Sequence, residues 1–186
     1  ATDVANGVLD GADCLMLSGE TSVGKYPLKV IQSMQKIISE VEAEERVYYQ
    51  DIKPRRDSAT YLSDAICYNS VLISKHVEAT AIIGMTRSGY TAYQVSSRRP
   101  KSEIYIFTDS QQLIKQLSLL WGVHCFFYDK FNSTDGTIED VHELLKAKGL
   151  VKKGDMVLNT GSMPIGKQGR TNMLKLSEIK SSLPNS

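Results

Sequence analysis

The sequence predicts a three-layer α/β fold, a mostly parallel five-stranded sheet with helices on both faces. Three observations carry the prediction. Short apolar runs of strand type, Ala79–Met85, Glu103–Phe107, Val123–Tyr128 and Met156–Asn159, are separated by segments whose apolar residues recur at helical spacing. Strands that alternate with helices form a parallel sheet, because each crossover helix packs back on a sheet face. The stretch from Ala81 to Pro100 passes from a strand run through a small polar loop into a helix pattern stopped by proline.

The composition of the 186 residues is globular, with 41% hydrophobic and 23% charged residues. A net charge of +1 argues against a nucleic-acid or membrane surface. No apolar run is long enough to span a bilayer, and no signal peptide is visible. Cys14, Cys67 and Cys125 are far apart and form no Cys-x-x-Cys pair, so neither a zinc site nor a disulfide framework is expected. Buried free thiols in a reducing cytoplasm are the expectation. His76, His124 and His142 are scattered and read as structural or surface residues, so no metal ligands are assigned.

Thr2 to Leu9 reads as a helix with Val4, Ala5, Val8 and Leu9 apolar, ended by Gly11. No initiator Met precedes it. Cys14-Leu-Met-Leu17 has the wholly apolar signature of a buried parallel strand. It runs into the polar loop Ser18–Lys25, and Pro27 opens the next helix. Val30, Ile31, Met34, Ile37, Ile38 and Val41 form an apolar stripe on that helix, and Glu40, Glu42, Glu44 and Glu45 read as solvated surface. Residues 47–56 read as a linker.

Asp57 or Ser58 is expected to cap a helix to about His76. A strand, the loop Thr86–Gly89 and a helix over Thr91–Arg98 follow, with Thr91 as the ordinary N-cap. Ser110 caps a helix to about Leu119, and Thr137 begins one ended by Gly149. Lys152–Asp155 is a tight turn, and Gly161–Arg170 is a glycine-rich loop before a last strand, Asn172–Ser177. Ser181–Ser186 reads as a frayed tail.

The loop Thr86-Arg-Ser-Gly-Tyr-Thr91 has the make-up of an anion cradle. Loop amides and a helix N-terminus point at one spot, hydroxyls of Thr86, Ser88 and Thr91 add donors, and Arg87 adds a bidentate phosphate donor. An ordinary βα loop would account for the same residues.

The sequence resembles one family, pyruvate kinase. The residues that carry this are Asp3-Val-Ala-Asn6, Val8–Asp13, Met16-Leu-Ser-Gly-Glu-Thr21, Gly24 and Tyr26-Pro27 at the start. Further on they are the Thr86–Thr91 loop, Arg99-Pro100, Lys153-Gly-Asp155, Gly161, Pro164, Gly166 and Thr171-Asn172. The resemblance implies that residues 1–46 are the last βα unit of a (β/α)8 barrel. It implies that residues 57–186 are the family's C-terminal effector-binding and assembly domain, with strands 1 and 4 adjacent and an antiparallel edge strand. The earlier barrel strands, the metal-binding carboxylates and the phosphoryl-stabilising Lys of the family have no counterpart among these residues. The chain is therefore expected to be a C-terminal portion of the enzyme and inactive by itself. Mg2+ and K+ are implied for the whole enzyme, and no cofactor for this portion.

By the same resemblance, Ser18 and Glu20 would line the whole enzyme's active site. Thr86, Arg87, Ser88, Gly89, Tyr90 and Thr91 would hold a phosphate of a sugar phosphate or nucleotide effector, with Lys167, Gly169 and Arg170 covering the other end. Tyr90 stands where some regulated members have Arg, and Met163–Gln168 differs from fructose-bisphosphate-binding loops. A homo-oligomer through the last strand is implied, a tetramer for the whole enzyme and a dimer for this portion. A stand-alone metabolite sensor and a purely structural assembly domain remain as alternatives.

Overall fold

The computed structural model describes residues 2–130, 133–163 and 169–180. In chain order the helices are α1 (Thr2–Leu9), α2 (Gly19–Ser22), α3 (Pro27–Glu42), α4 (Tyr61–His76), α5 (Tyr90–Ser96), α6 (Gln111–Leu117) and α7 (Thr134–Ala147). The strands are β1 (Ala81–Met85), β2 (Glu103–Thr108), β3 (Val123–Phe127), β4 (Met156–Gly161) and β5 (Met173–Glu178). They form one sheet in the order β3-β2-β1-β4-β5, parallel throughout except for β5, which runs antiparallel to β4 at the edge.

Side chains alternate along β1 and β2 and divide the core in two. Ala81, Ile83, Met85, Tyr105 and Phe107 pack against Ile138, Val141 and Leu145 of α7. Ile82, Ile104 and Ile106 pack against Cys67 and Val71 of α4, Ala92 and Val95 of α5, and Leu113 and Leu117 of α6. Both faces of the central strands are buried, which is why their sequences read as continuous apolar runs.

Several expectations need correction. One point needs none: with the neighbouring barrel strands missing, Leu15–Leu17 is expected to be an unpaired misfit, and Cys14–Leu17 is in no described strand, with Met16 88% exposed. An apolar run with no neighbouring strand has nothing to pair with, so the strand signature stays unrealised. Part of the Ser18–Lys25 loop folds as the single turn α2. The apolar stripe of α3 is present, but none of that helix is buried among the described residues. Glu42 and Glu45 are not merely solvated, because Glu42 accepts from Trp121 Nε1 at 2.8 Å and Glu45 pairs with Lys101. Within residues 47–56, Val47 is buried, and the amides of Tyr49 and Gln50 donate to the carbonyls of Arg99 and Arg98. Cys14 is exposed, whereas Cys67 is buried and Cys125 half-buried.

Helix boundaries also move. Helix α4 starts at Tyr61 with Thr60 as N-cap, because the hydroxyls of Ser58 and Thr60 bond each other and Asp57 pairs with Arg55. Helix α7 starts at Thr134, where Ser133 accepts from the Gly136 amide. Ser110 caps α6 as expected, accepting from Leu113, although that helix ends at Leu117. Gly11 and Gly149 end their helices in the left-handed region with paired closing hydrogen bonds. The tail Ser181–Ser186 lies outside the described residues.

Candidate functional site

The parallel order leaves β1 and β4 side by side, and the order in which successive strands are added reverses between them, a topological switch point. Loops leaving the C-terminal ends of such strands form the crevice where open α/β sheets bind ligands. Here those loops are Thr86–Gly89, after β1, and, among the described residues after β4, Ser162, Met163 and Gly169–Asn172.

The first loop is held from several sides. The Thr86 amide donates to the Phe107 carbonyl at 3.1 Å, Thr86 Oγ1 accepts from the Gly89 amide at 3.0 Å, and Ser88 Oγ accepts from the Tyr90 amide at 3.4 Å. Gly89, not Thr91, is the N-cap of α5. Its φ of 79° is open to glycine, and a Cβ there would meet Leu113 Cδ1 at 2.9 Å. Helix α5 therefore begins two residues earlier than a Thr91 cap would allow, and it ends at Ser96 rather than Arg98.

Thr91 faces inward. It is 2% exposed, and its hydroxyl lies 2.6 Å from that of Thr171, across from the second loop. Asn172 closes the base of that loop by accepting from the Met163 amide at 2.7 Å and donating to the Met163 carbonyl at 3.0 Å. Gly169 packs tightly, since a Cβ there would meet Ser162 Oγ at 2.5 Å. Lys167 lies outside the described residues.

The charged groups are engaged. Arg87 Nε is 3.4 Å from Asp109 Oδ2, with both side chains partly exposed. Arg170 donates to the Ala59 carbonyl, at a cleft of about 270 Å³ lined by Ser58–Ser63 and Arg170–Asn172. Tyr90 donates to Asp64 on α4, and Asp64 also accepts from Thr60 Oγ1 at 3.0 Å. Burial, then the hydrogen bond to Asp64, raises the Tyr90 phenol above its ordinary range. Thus the structure brings Thr86, Ser88, Gly89, Tyr90 and Thr91 together, and turns Arg170 toward the start of α4.

Ser18 and Glu20 belong to the N-terminal unit, and both are exposed. Glu20 Oε2 accepts from the Ser18 amide at 3.1 Å, and Thr21 Oγ1 donates to the Ser18 carbonyl at 3.1 Å. Among the described residues no group of three or more His, Cys, Asp or Glu side chains could hold a metal ion.

Sequence reasoning missed Asp64, Asp109 and Thr171 as members of this site. Asp64 left one signal, an acidic residue beside Leu62, Ala65 and Ile66 on a helix whose apolar spacing otherwise implies burial. Thr171 directly follows the basic Arg170, at the point where the covering loop must re-enter the sheet.

The chain thus carries an open α/β sheet whose βα loops meet at a switch point, preceded by a helical unit with an unpaired apolar segment. Comparison with known proteins names the family. The pyruvate kinase alpha/beta domain matches residues 64–177, and the pyruvate kinase barrel domain matches residues 1–31. Pyruvate kinase of Clostridium acetobutylicum is 37% identical over 182 residues, which are 97% of this chain and 38% of that protein. Pyruvate kinase of Geobacillus stearothermophilus is 35% identical over 96% of this chain and 30% of its own length. The crystal structure of Cryptosporidium parvum pyruvate kinase superimposes with a TM-score of 0.79 at 28% identity, over 96% of this chain and 35% of that one. The chain belongs to the pyruvate kinase family, and it spans 30–38% of the length of these curated relatives.

Proposed function

We propose that the chain is the effector-binding and assembly part of a cytoplasmic pyruvate kinase, an enzyme that moves phosphoryl from phosphoenolpyruvate to ADP. The observation that supports an effector site most is the Thr91–Thr171 hydrogen bond, which ties the two switch-point loops together. A phosphate arriving at Thr86–Thr91 would replace the hydroxyls of Thr86 and Ser88 at the amides of Gly89 and Tyr90, exchanging neutral acceptors for a charged one. Arg87 would move from Asp109 to the phosphate, since a partly exposed ion pair holds it weakly. The loop through Gly169 and Arg170 would cover the rest of a sugar phosphate or nucleotide.

In the whole enzyme Ser18 and Glu20 would face the proton-transfer step. Phosphoryl transfer needs metal ions and cationic clamps held in one geometry, and one loop does not supply them. The purified 186 residues should therefore form no pyruvate.

A second reading, a purely structural domain, is favoured by one observation. Arg87 and Tyr90 are both engaged with carboxylates, Asp109 and Asp64. Calorimetry with hexose phosphates, pentose phosphates and nucleoside monophosphates separates the readings. Binding that Arg87→Ala weakens by ~1.5–3 kcal/mol, or about 10- to 150-fold, supports the effector site. Unchanged affinity in that variant places the anion elsewhere, and no binding by any of them leaves the structural reading.

A further inference from the structure

We propose that Arg99 is a positioning residue that locks the segment ahead of the Ser18–Glu20 loop to the C-terminal end of α5, so that this loop and the Thr86–Thr91 loop are two ends of one lever.

The N-terminal unit is held by polar and aromatic contacts rather than by a shared apolar core. Val8 is its one buried residue in α1, and α3 has none. Arg99 is the centre of the attachment. Its guanidinium donates to the Gly11 carbonyl, lies 3.1 Å from Asp13 Oδ1, and covers the Trp121 ring at 4.7 Å. Trp121 in turn donates from Nε1 to Glu42 at 2.8 Å and from its amide to Asp13 at 3.4 Å.

This node is rigid for physical reasons. The Arg99 side chain is 5% exposed, and a buried guanidinium cannot shed its proton, so it must keep its partners. Its φ of 49° is a left-handed backbone position, which a non-glycine residue keeps only where its surroundings over-determine it. The Arg99 amide donates to Ser96, and its carbonyl accepts from Tyr49.

Helix α5 joins this node to the cradle. At its start are Gly89 and the Thr91–Thr171 bond. Along one side, Gln94 Nε2 donates to the Tyr90 hydroxyl at 3.1 Å, and Gln94 Oε1 accepts from Arg98 Nη1 at 2.8 Å. At its end Ser96 Oγ donates to the Trp121 carbonyl at 2.7 Å. A short helix with both ends held moves as a body. Between Asp13 and Ser18 stand only Cys14–Leu17.

The catalytic relevance of the lever rests on the proposed function, in which Ser18 and Glu20 face the chemistry. The coupling itself is tested on this chain with no ligand or substrate. Trp121 is the one tryptophan in the sequence, so its emission reports the node. Asp13→Asn should shift that emission and speed hydrogen exchange at the Gly89 and Tyr90 amides by about fivefold or more, the low end of ordinary coupling between sites. Thr171→Val, made at the other end, should also shift Trp121 emission. Arg99→Lys, which keeps the charge and loses the fork, should behave as Asp13→Asn does and serves if that variant folds poorly. Coupling is reciprocal, so an effect in one direction only, or in neither, overturns the proposal. These readouts stand whether or not any phosphate binds or the whole enzyme makes pyruvate.

Discussion

Thr91 and Thr171, 80 positions apart in the chain, place their hydroxyl oxygens 2.6 Å from each other in the core of the molecule. Thr91 is 2% and Thr171 8% exposed, so each hydroxyl has given up water for the other. Removing one leaves a buried polar group unpaired, at a cost of ~1–3 kcal/mol, whereas removing both can be nearly neutral. Thr91→Val and Thr171→Val should each lower stability by an amount in that range. The double variant should lose clearly less than the sum, as read from urea midpoints in a double-mutant cycle. Additive losses would mean that the two hydroxyls do not depend on each other.

Much of this arrangement is legible in the sequence, and the parts that are not share a cause. Strands β1 and β2 are recoverable because Ile82, Ile104 and Ile106 face one layer while Ile83, Tyr105 and Phe107 face the other, so both faces of these runs call for apolar residues. Ser110 and Gly149 mark helix ends because capping is local chemistry. The start of α5 is not local. Gly89 takes the cap because its backbone must pass close to Leu113 and Leu117, on a helix that follows later in the chain. The carboxylates Asp64 and Asp109 likewise come to the site from other elements through tertiary placement, and only Asp64 leaves a local trace, an acidic residue beside apolar ones on α4. Cys14–Leu17 shows the converse, a strand signature that stays unrealised without a neighbouring strand.

The His142 ring should make stability depend on pH. Its Nε2 lies 2.9 Å from Asn159 Oδ1, and Asn159 is fully buried on β4. Burial lowers the His142 pKa below the ordinary 6.5; Lys175 also lowers it, while the Asn159 bond and Glu139 and Glu143 oppose this. A folded-state pKa below the unfolded one means that the unfolded chain takes the proton more readily. The contribution is thus complete above the unfolded value and is lost as pH falls through 6.5 toward the folded value. The loss should be confined to that window and level off below it. Thermal unfolding of the parent and of His142→Gln between pH 8 and 5 checks this. The variant should lack that share of the acid loss, and parallel curves would assign it to other groups.

The three cysteines should separate by reactivity. Burial pushes the Cys67 thiol up to about 12 and the Cys125 thiol up to about 11, so neither offers thiolate near neutrality. Cys14 is exposed. An aromatic disulfide reagent at pH 8 should label one thiol rapidly in the folded chain and all three after unfolding. Cys14→Ser should remove the rapid phase. A rapid phase that survives in this variant would show that the α4 or β3 face opens readily.

Strand β5 should be the assembly edge. Among the described residues it pairs with β4 alone, from Met156↔Glu178 to Gly161↔Met173, so its outer side carries no ladder. The face toward α7 is occupied, since Met173 packs on the core and Lys175 bonds Asp135 at 2.7 Å. Leu176, on the opposite face, is 43% exposed. An edge strand with an exposed leucine invites pairing unless something covers it. A second copy of β5 across a two-fold axis would cover it and extend the sheet, and such a contact presents each residue change twice. Because Asn172 closes the covering loop immediately before β5, pairing there would also restrain the loop. The chain should therefore elute as a dimer. Leu174→Pro, which removes a backbone donor and bends the strand, should shift it to monomer while thermal unfolding remains cooperative. A parent that is monomeric at high concentration, or a variant that stays dimeric, excludes β5 as the route of assembly.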